Sequence, residues 1–299
     1  MPDHMITLEN EFGRAVISPL AGASLRSLQV LSHGERHELI SGGDHEFDPR
    51  HVEDGTGCFV MAPWPNRIRD GEIHLNGEIA GTVPVNSGRH AIHGVVRDRT
   101  WTILDNSETS ARLSIELGQP WPFAGYLEYE VKLEGPSLVQ SFTATTDSKG
   151  TNYPFGIGWH PWFVRDLGSG PVVVHIPEQE IVWVLDEEMT STGRQLEPAG
   201  PTDLRTPVIP DVGSLDHCFR VALGSTSFLG WPDGPTLAIN SSDNVSHLQV
   251  YTPEGAICVE PQSCAVDAFR LAAEGHEGTG AFVVTSAEAA TGWTRWSWG

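Results

Sequence analysis

The chain has few basic residues for its length, and this shortage narrows the class of protein. Its 299 residues include 18 lysines and arginines against 39 aspartates and glutamates, which gives a formal net charge of −21. Such a negative field repels nucleic acid and anionic membrane surfaces, so we expect neither as a partner. It also disfavours polyanionic substrates.

Cysteines and long hydrophobic runs are also scarce. Cys58, Cys218, Cys258 and Cys264 form no C-x-x-C pair and no Cys/His spacing typical of zinc, and four are too few for a disulfide framework in so long a chain. We therefore expect reduced thiols and no metal site. The N-terminus has no signal-peptide pattern, and no apolar run approaches the roughly 18 residues of a membrane-spanning helix. These features predict a cytoplasmic protein.

Short strands dominate the pattern of hydrophobic residues. Ala111–Leu117 and Tyr126–Leu133 alternate apolar and polar side chains, which predicts strands with one buried face. Ser137–Thr146 continues the alternation after a Gly-Pro turn, so it is expected to form a hairpin with Tyr126–Leu133. Asn76-Gly77 between two short runs is typical of a type I′ hairpin turn. Further strands are predicted at Glu72–Leu75, Glu78–Val83, Val172–Ile176, Ile181–Leu185, His247–Thr252 and Ala256–Glu260.

Long helical periodicity is absent from the sequence. Only Ser263–Phe269 and Gly55–Met61 suggest helices, of one or two turns each. The 32 glycines and 21 prolines fit the many turns that short strands require. An all-β fold, a large sandwich or barrel, is therefore predicted. Thr192–Pro210 is the nearest candidate for a linker, but the strands on both sides look alike, so we expect one domain over residues 1–299.

The segment Asn152–Phe163, NYPFGIGWHPWF, places His160 between two tryptophans and before a proline. A residue that precedes proline favours an extended conformation, so His160 is expected at the end of a strand. Trp159 and Trp162 could stack on the apolar face of a sugar ring or pack in the core. A titratable ring beside flat apolar rings suits a carbohydrate site, and we expect Trp159 to bind substrate there.

Glu260 ends an apolar strand and also precedes a proline. A carboxylate that leaves a buried strand is partly desolvated, which raises its pKa towards the range useful for a general base. The alternative is an ordinary, solvated glutamate at a strand end. Gln249 lies on the preceding predicted strand and could reach the same cleft.

Three further blocks offer hydrogen-bonding groups. Asn66 and Arg67 carry donors for hydroxyl oxygens, although Arg67 could instead cap a turn or pair with Asp70. His93 precedes a glycine, and a histidine in such a place is often structural. Asp216 is a good acceptor for sugar hydroxyls, although an Asx-turn between strands is an equal alternative.

Five arginines fall in one window of this acidic chain: Arg67, Arg69, Arg89, Arg97 and Arg99. Such a cluster could mark an anion-binding site. The acidic residues interleaved with the arginines, Asp70 and Asp98, favour surface ion pairs instead.

Together these blocks resemble the aldose 1-epimerase, or galactose mutarotase, family. The matching motifs follow in family order: NRI at Asn66–Ile68, GEIHLNG after it, HG at His93–Gly94, HPWF at His160–Phe163, LDH at Leu215–His217, LQVYT at Leu248–Thr252 and VEPQ at Val259–Gln262. The resemblance implies a β-supersandwich of the galactose mutarotase type. It also implies a monosaccharide substrate and interconversion of the α and β anomers of an aldohexose, a reaction that an acid and a base can catalyse, so no cofactor is expected.

The same resemblance implies roles for individual residues. Glu260 would be the general base and His160 the general acid, a role that His93 could share. Trp162 stands where the family usually has tyrosine, which changes the wall of the cleft. Residues that would bind the sugar hydroxyls or the ring oxygen are Asn66, Arg67, His93, Asp216 and Gln249.

Three other functions stay open at this stage. A hexose-6-phosphate 1-epimerase would use the arginine window, although the negative total charge opposes it. A non-catalytic sugar-binding or sensor domain would bind sugar without accelerating anomer exchange. A lyase or glycosidase of the same superfold is the third, and a glycosidase needs a second carboxylate about 5–9.5 Å from the first, for which Asp216 is the candidate. For assembly we expect a monomer or a weak homodimer.

Overall fold

The structure, a computed structural model, describes residues 5–42, 51, 54–146 and 152–299. In chain order its strands are β1 (Ile6–Glu9), β2 (Gly13–Ser18), β3 (Ser24–Ser32), β4 (Glu35–Glu38), β5 (Cys58–Met61), β6 (Arg67–Ile68), β7 (Glu72–Leu75), β8 (Glu78–Thr82), β9 (Ala91–Ile92), β10 (Thr102–Asn106), β11 (Ser110–Leu117), β12 (Gly125–Leu133), β13 (Ser137–Thr145), β14 (Tyr153–Phe155), β15 (Gly158–Pro161), β16 (Phe163–Val164), β17 (Val173–His175), β18 (Gln179–Leu185), β19 (Ser191–Leu196), β20 (Asp216–Val221), β21 (Thr226–Gly230), β22 (Thr236–Ser241), β23 (His247–Tyr251), β24 (Ala256–Gln262), β25 (Phe282–Val284) and β26 (Ala290–Trp298). The helical segments are the 3₁₀ turns Arg69–Gly71 and Gly200–Thr202 and the helix α1 (Ala268–Ala273).

Two large antiparallel sheets contain most of these strands. The first has 12 strands in the order β1-β2-β3-β5-β15-β24-β23-β20-β18-β19, with β4 on β3 and β16 on β24. The second has 8 strands in the order β10-β11-β12-β13-β26-β22-β21-β17. Three two-stranded sheets, β14-β25, β6-β9 and β7-β8, complete the described part of the chain. The predicted all-β fold is confirmed.

Side chains from both sheets meet in one hydrophobic core. Trp159 on β15 packs against Phe142 on β13, with ring centroids 6.2 Å apart. Phe163 on β16 meets Trp296 on β26 edge to face at 5.2 Å. Because large aromatic side chains bury about 150–250 Å² each, such contacts contribute strongly to holding the two sheets together. The other face of the 12-stranded sheet remains available for a cleft.

Most predicted strands are present, and their hairpins pair as predicted. The strands β12 and β13 pair over eight of their nine residues, with Tyr126–Leu133 opposite Leu138–Thr145. At the turn between β7 and β8, Asn76 and Gly77 have φ values of 53° and 84°, which are the two positive values that a type I′ turn needs. The predictions from strand periodicity are therefore confirmed where the alternation is strong.

Both helix predictions need correction. Cys58–Met61 is the strand β5, in which all four residues are buried, so the run has no polar alternation to distinguish it from a buried helix. The predicted helix over Ser263–Phe269 begins only at Ala268 and continues to Ala273. No helix in the described ranges is long and apolar enough to cross a membrane.

Candidate active site

His160 and Glu260 come together because β15 and β24 are neighbouring antiparallel strands. Gly158 on β15 lies opposite Gln262 on β24, and the same register two residues further on places His160 opposite Glu260. Directly opposite residues project their side chains to the same face of a sheet. The Nε2 atom of His160 accordingly lies 3.4 Å from Oε1 of Glu260.

The same row of side chains continues across the strands on either side. Phe59 on β5 lies opposite His160, and the two rings stack with centroids 4.7 Å apart. Gln249 on β23 lies opposite Glu260, and its amide donates a hydrogen bond of 2.5 Å to Oδ1 of Asp216 on β20. Five adjacent strands thus place one aromatic ring and four polar side chains on one face of the sheet. We call this set the floor: Phe59, His160, Glu260, Gln249 and Asp216.

This floor is the base of an open cleft. The cleft has a volume of about 640 Å³, within the range of about 300–1,000 Å³ that is typical of small-molecule sites. Its lining includes seven of the eight predicted site residues: Asn66, Arg67, His93, His160, Asp216, Gln249 and Glu260. The structure therefore collects at one place residues that are up to about 190 positions apart in the sequence.

Burial controls the protonation of the catalytic candidates. The exposed fraction is 6% for His160 and 1% for Glu260. Burial raises the pKa of Glu260 well above its ordinary value and the charge of Asp216 adds to the rise, while a hydrogen bond from the amide of Gln262 at 3.1 Å opposes it. Burial, with a contribution from the charge of Arg97, lowers the pKa of His160 to about 3.

These two shifts oppose a permanent ion pair, although the 3.4 Å separation lies within ion-pair range. Desolvation penalises the charged form of each group, so an imidazole and a carboxyl group that share one proton hold it on the carboxyl oxygen. The singly protonated pair persists between the pKa of the imidazole and that of the carboxyl group.

His93 adds a second imidazole beside the first. Its ring contacts His160 edge to face with centroids 5.2 Å apart, and burial lowers its pKa well below the ordinary value. His93 has a φ of 63°, and a Cβ on Gly94 would lie 1.9 Å from the carbonyl oxygen of Ala62. Gly94 is therefore needed for the close approach that brings His93 into the cleft.

Asn66 and Arg67 lie on the wall of the cleft. Asn66 is 4% exposed, and Nη1 of Arg67 donates to its Oδ1 atom at 3.3 Å. The alternative pairing of Arg67 with Asp70 is not found, because Asp70 accepts a hydrogen bond of 2.6 Å from Arg89. Among the described residues no carboxylate lies within ion-pair distance of Arg67.

Of the other four arginines of the window, three form ion pairs, as the surface-pair interpretation predicts, and the fourth bonds to a carbonyl oxygen. Their partners are Asp186 for Arg69, Asp70 for Arg89, Asp54 for Arg97, and the carbonyl oxygen of Glu116 for Arg99. Arg97 also lies over the ring of Phe59, 4.4 Å from its centroid, and lines the cleft.

The prediction that Trp159 binds substrate is wrong. Trp159 is fully buried and packs in the core, because neighbouring residues of a strand point to opposite faces and His160 points into the cleft. Trp162 lines the cleft instead. Its ring stacks on His160 with centroids 5.1 Å apart and an interplanar angle of 18°.

Sequence reasoning missed Phe59, Tyr251 and Cys258. Phe59 was hidden in a segment predicted as helix. Tyr251 lines the cleft and meets Trp162 edge to face at 5.9 Å. Cys258 places its thiol within 4.8 Å of the ligand atoms of both His160 and Glu260. Tyr251 and Cys258 stand two residues from Gln249 and Glu260 on the same strands, so strand alternation is the signal that would have found them.

Comparison with known proteins identifies the family. The model of the family described as aldose 1-epimerase matches residues 4–277, so the chain belongs to the aldose 1-epimerase family. The uncharacterized protein YihR of Escherichia coli K12 is 27% identical over 223 residues, which cover 70% of each chain.

Solved structures share the fold at low sequence identity. A GalM/aldose epimerase homologue from C. elegans superposes with a TM-score of 0.84 at 17% identity, covering 99% of this chain and 98% of that one. A galactose mutarotase-like protein from Clostridium acetobutylicum gives a TM-score of 0.83 at 18% identity, covering 99% and 95%. The fold is therefore galactose mutarotase-like, as predicted.

Proposed function

We propose that this protein is an aldose 1-epimerase that interconverts the α and β anomers of an aldohexose. The observation that carries the proposal is the 3.4 Å contact between Nε2 of His160 and Oε1 of Glu260 on the floor of the cleft. Mutarotation needs one group to remove the proton of the C1 hydroxyl and another to protonate the ring oxygen. A positioned imidazole and carboxylate can do both.

Glu260 is the base in this mechanism and His160 is the acid. Glu260 takes the proton of the C1 hydroxyl while His160 delivers a proton to the ring oxygen, and the C1–O5 bond breaks to give the open-chain aldehyde. Rotation about the C1–C2 bond presents the other face of the aldehyde. The ring oxygen then attacks C1, its proton returns to His160, and Glu260 returns a proton to the new hydroxyl.

The buried environment suits this exchange because the pair carries one proton in total both before and after ring opening. Ring opening starts from the carboxylate and the imidazolium and leaves a protonated carboxyl group and a neutral imidazole. Burial favours this second distribution, as the raised pKa of Glu260 and the lowered pKa of His160 show. The resting pair already holds its proton on the carboxyl group, so the carboxylate–imidazolium form that starts ring opening is the minor form. Once it forms, both proton transfers of ring opening run towards the distribution that burial favours.

Polar groups around the pair are suited to hold the sugar. Asp216 and Gln249 offer an acceptor and an amide on one side, while Asn66 and Arg67 offer donors on the other. Trp162 presents a flat apolar wall above His160. His93 lies where it can donate to the ring oxygen or share the acid role, and its contact with His160 supports this position.

Glu260→Gln and His160→Asn test the proposal. Each variant is expected to reduce the enzymatic rate about 10²–10⁴-fold while the fold is kept, because a proton-transfer group contributes about that much. The rate is followed by polarimetry on freshly dissolved α-D-glucose and α-D-galactose, with the fold checked by circular dichroism. Glu254→Gln, the same change at an exposed site near β24, is the matched control.

If either catalytic variant keeps a rate near that of the wild type, the role given to that residue is wrong. Sugar binding by the wild type with no acceleration of anomer exchange would instead favour a sensor domain. The 6-phosphate epimerase is a second candidate because Arg67 faces the cleft without a carboxylate partner among the described residues. Comparing the reaction rates with free glucose and with glucose 6-phosphate distinguishes this candidate from an aldose 1-epimerase.

A further inference from the structure

A third chemically active side chain lies against the catalytic pair. Cys258 stands two residues before Glu260 on β24, so both side chains project to the cleft face of the sheet. One nitrogen of His160, the thiol sulfur of Cys258 and a carboxylate oxygen of Glu260 all lie within 4.8 Å of one another. All three residues are buried. Proposed mutarotation uses two of them and leaves the thiol without a role.

We propose that His160, Cys258 and Glu260 form a binding site for a thiophilic divalent cation of the zinc class, which inhibits the enzyme by occupying its two proton-transfer groups. Histidine nitrogen, cysteine sulfur and glutamate oxygen are the three kinds of ligand that zinc takes in proteins. The inhibitory part rests on the proposed mutarotation, whereas the binding part does not.

The geometry needs little change to accept the ion. With metal–ligand distances of roughly 2.0–2.3 Å, two ligands on a tetrahedral zinc lie roughly 3.4–3.6 Å apart. The His160–Glu260 separation of 3.4 Å already has this value. The thiol lies within 4.8 Å of both, so it must move closer by at most about 1.3 Å, which a side-chain rotation can supply. The fourth position would face the cleft, which His160 and Glu260 line.

The charges of the complex also fit a buried place. A divalent cation bound by one carboxylate, one thiolate and one neutral imidazole has no net charge. The thiol proton passes to solvent when the metal–sulfur bond forms, so binding releases protons. A neutral complex avoids the large cost of burying an unpaired charge. Cys58, by contrast, belongs to the hydrophobic core, because it alternates with the cleft-facing Phe59 on β5.

Inhibition follows from which atoms the metal would occupy. A bound cation would hold the carboxylate oxygen of Glu260 that removes the C1 proton and the nitrogen of His160 that carries the second proton. Metal binding and proton transfer therefore exclude each other. Zinc is expected to reduce the rate, and a chelator is expected to restore it.

Cobalt(II) added to the metal-free, full-length protein tests the binding site directly. A cobalt ion bound by a thiolate has a sulfur-to-metal charge-transfer band in the near ultraviolet, which ions bound only by surface histidines lack. Wild type and Cys58→Ser are expected to show this band. Cys258→Ser and Cys258→Ala are expected to lose it and to bind zinc at least about tenfold more weakly in a competition titration. Thermal unfolding confirms that each variant is folded.

The kinetic test compares each variant with itself. The ratio of mutarotation rates with and without zinc is expected to fall well below one for wild type and Cys58→Ser, and to stay near one for Cys258→Ser. A missing band in wild type, or a band that persists in both Cys258 variants, would overturn the site. A band that depends on Cys258 without any zinc effect on the rate would overturn the inhibition. If the wild type has no mutarotase activity, the proposed function is wrong. The cobalt band would still show whether the metal site exists.

Discussion

His160 and Glu260 face each other across two adjacent antiparallel strands, with Nε2 of the histidine 3.4 Å from Oε1 of the glutamate. Each also has a partner on its other side. Phe59 stacks on the imidazole, and Gln262 donates a hydrogen bond to the second carboxylate oxygen. Two proton-transfer groups are thus fixed by the register of the sheet with little exposure to solvent, so their pKa values are set by burial and by a few neighbours.

The pH dependence of the reaction should respond to Gln262. The catalytic pair works with one shared proton, so activity is expected to fall on the alkaline side as pH rises through the raised pKa of Glu260. The amide of Gln262 stabilises the ionised carboxylate and lowers that pKa. Gln262→Met removes this hydrogen bond, so the pKa rises further and the alkaline limb of kcat/KM moves to higher pH.

Polarimetric pH profiles of both proteins, corrected for the spontaneous reaction in buffer, measure this shift. A limb that stays in place or moves to lower pH would show that Glu260 does not govern it. On the acid side, the lowered pKa of His160, about 3, predicts that activity persists well below neutral pH until the protein unfolds.

Glu260 should weaken the fold at alkaline pH. Its pKa in the folded protein is raised above the unfolded value, so the folded state binds the proton more tightly. The stability that this proton contributes is present below the unfolded pKa and is lost as pH rises through the folded pKa. Glu260→Gln is therefore expected to have a higher Tm than wild type at about pH 9 and a similar Tm at about pH 4. Scanning calorimetry at both pH values measures this, with Glu254→Gln as the exposed control, and a constant difference in Tm would refute the linkage.

The strands that the sequence predicts well are those with one buried face and one more exposed face. β11, β12 and β13 alternate buried and less buried residues along their length, so period-two patterning identifies them. The sequence of β5 suggests a helix because both of its faces are buried and its four residues show no alternation. Pattern alone cannot separate a short, fully buried strand from a short, buried helix.

The candidate site was predictable in its chemistry but not in its arrangement. His160 and Glu260 stand out in the sequence because each precedes a proline and follows a mostly apolar run. Their contact depends on the pairing of β15 with β24, strands that are 100 residues apart at these positions, and no local pattern encodes that pairing. The exchange of Trp159 for Trp162 has the same origin, since a histidine that faces the cleft forces its strand neighbour into the core.

Substitutions of Trp159 and Trp162 directly test which tryptophan packs in the core and which contacts the substrate. Trp162→Leu removes the flat wall beside His160 and is expected to raise KM with a small change in Tm. Trp159→Phe leaves space in the core, so it is expected to lower the free energy of unfolding by about 1–3 kcal/mol with KM unchanged. Polarimetric kinetics and urea titrations on both variants measure the two effects. If Trp159→Phe raised KM as much as Trp162→Leu, the core position of Trp159 would not describe its role.

Arg67 should bind a sugar hydroxyl rather than a phosphate group. Its guanidinium lines the cleft and bonds only to Asn66 Oδ1 among the described residues, so donors remain for substrate. Besides the protonated Glu260, three carboxylates line the same cleft, Asp54, Asp98 and Asp216, and they outnumber its two arginines, Arg67 and Arg97. Because like charges close together repel, this lining opposes a dianionic phosphate, and free glucose is expected to have a higher kcat/KM than glucose 6-phosphate.

Arg67→Met is expected to raise KM for the free sugar about tenfold, since a hydrogen bond from a charged donor contributes about 1.5 kcal/mol or more. Arg99→Met, which loses a surface hydrogen bond to a carbonyl oxygen, is the matched control and should leave KM unchanged. Initial rates with both sugars on the three proteins measure these effects. Wild-type preference for the 6-phosphate, lost in Arg67→Met alone, would instead make this arginine a phosphate ligand and the protein a hexose-6-phosphate 1-epimerase.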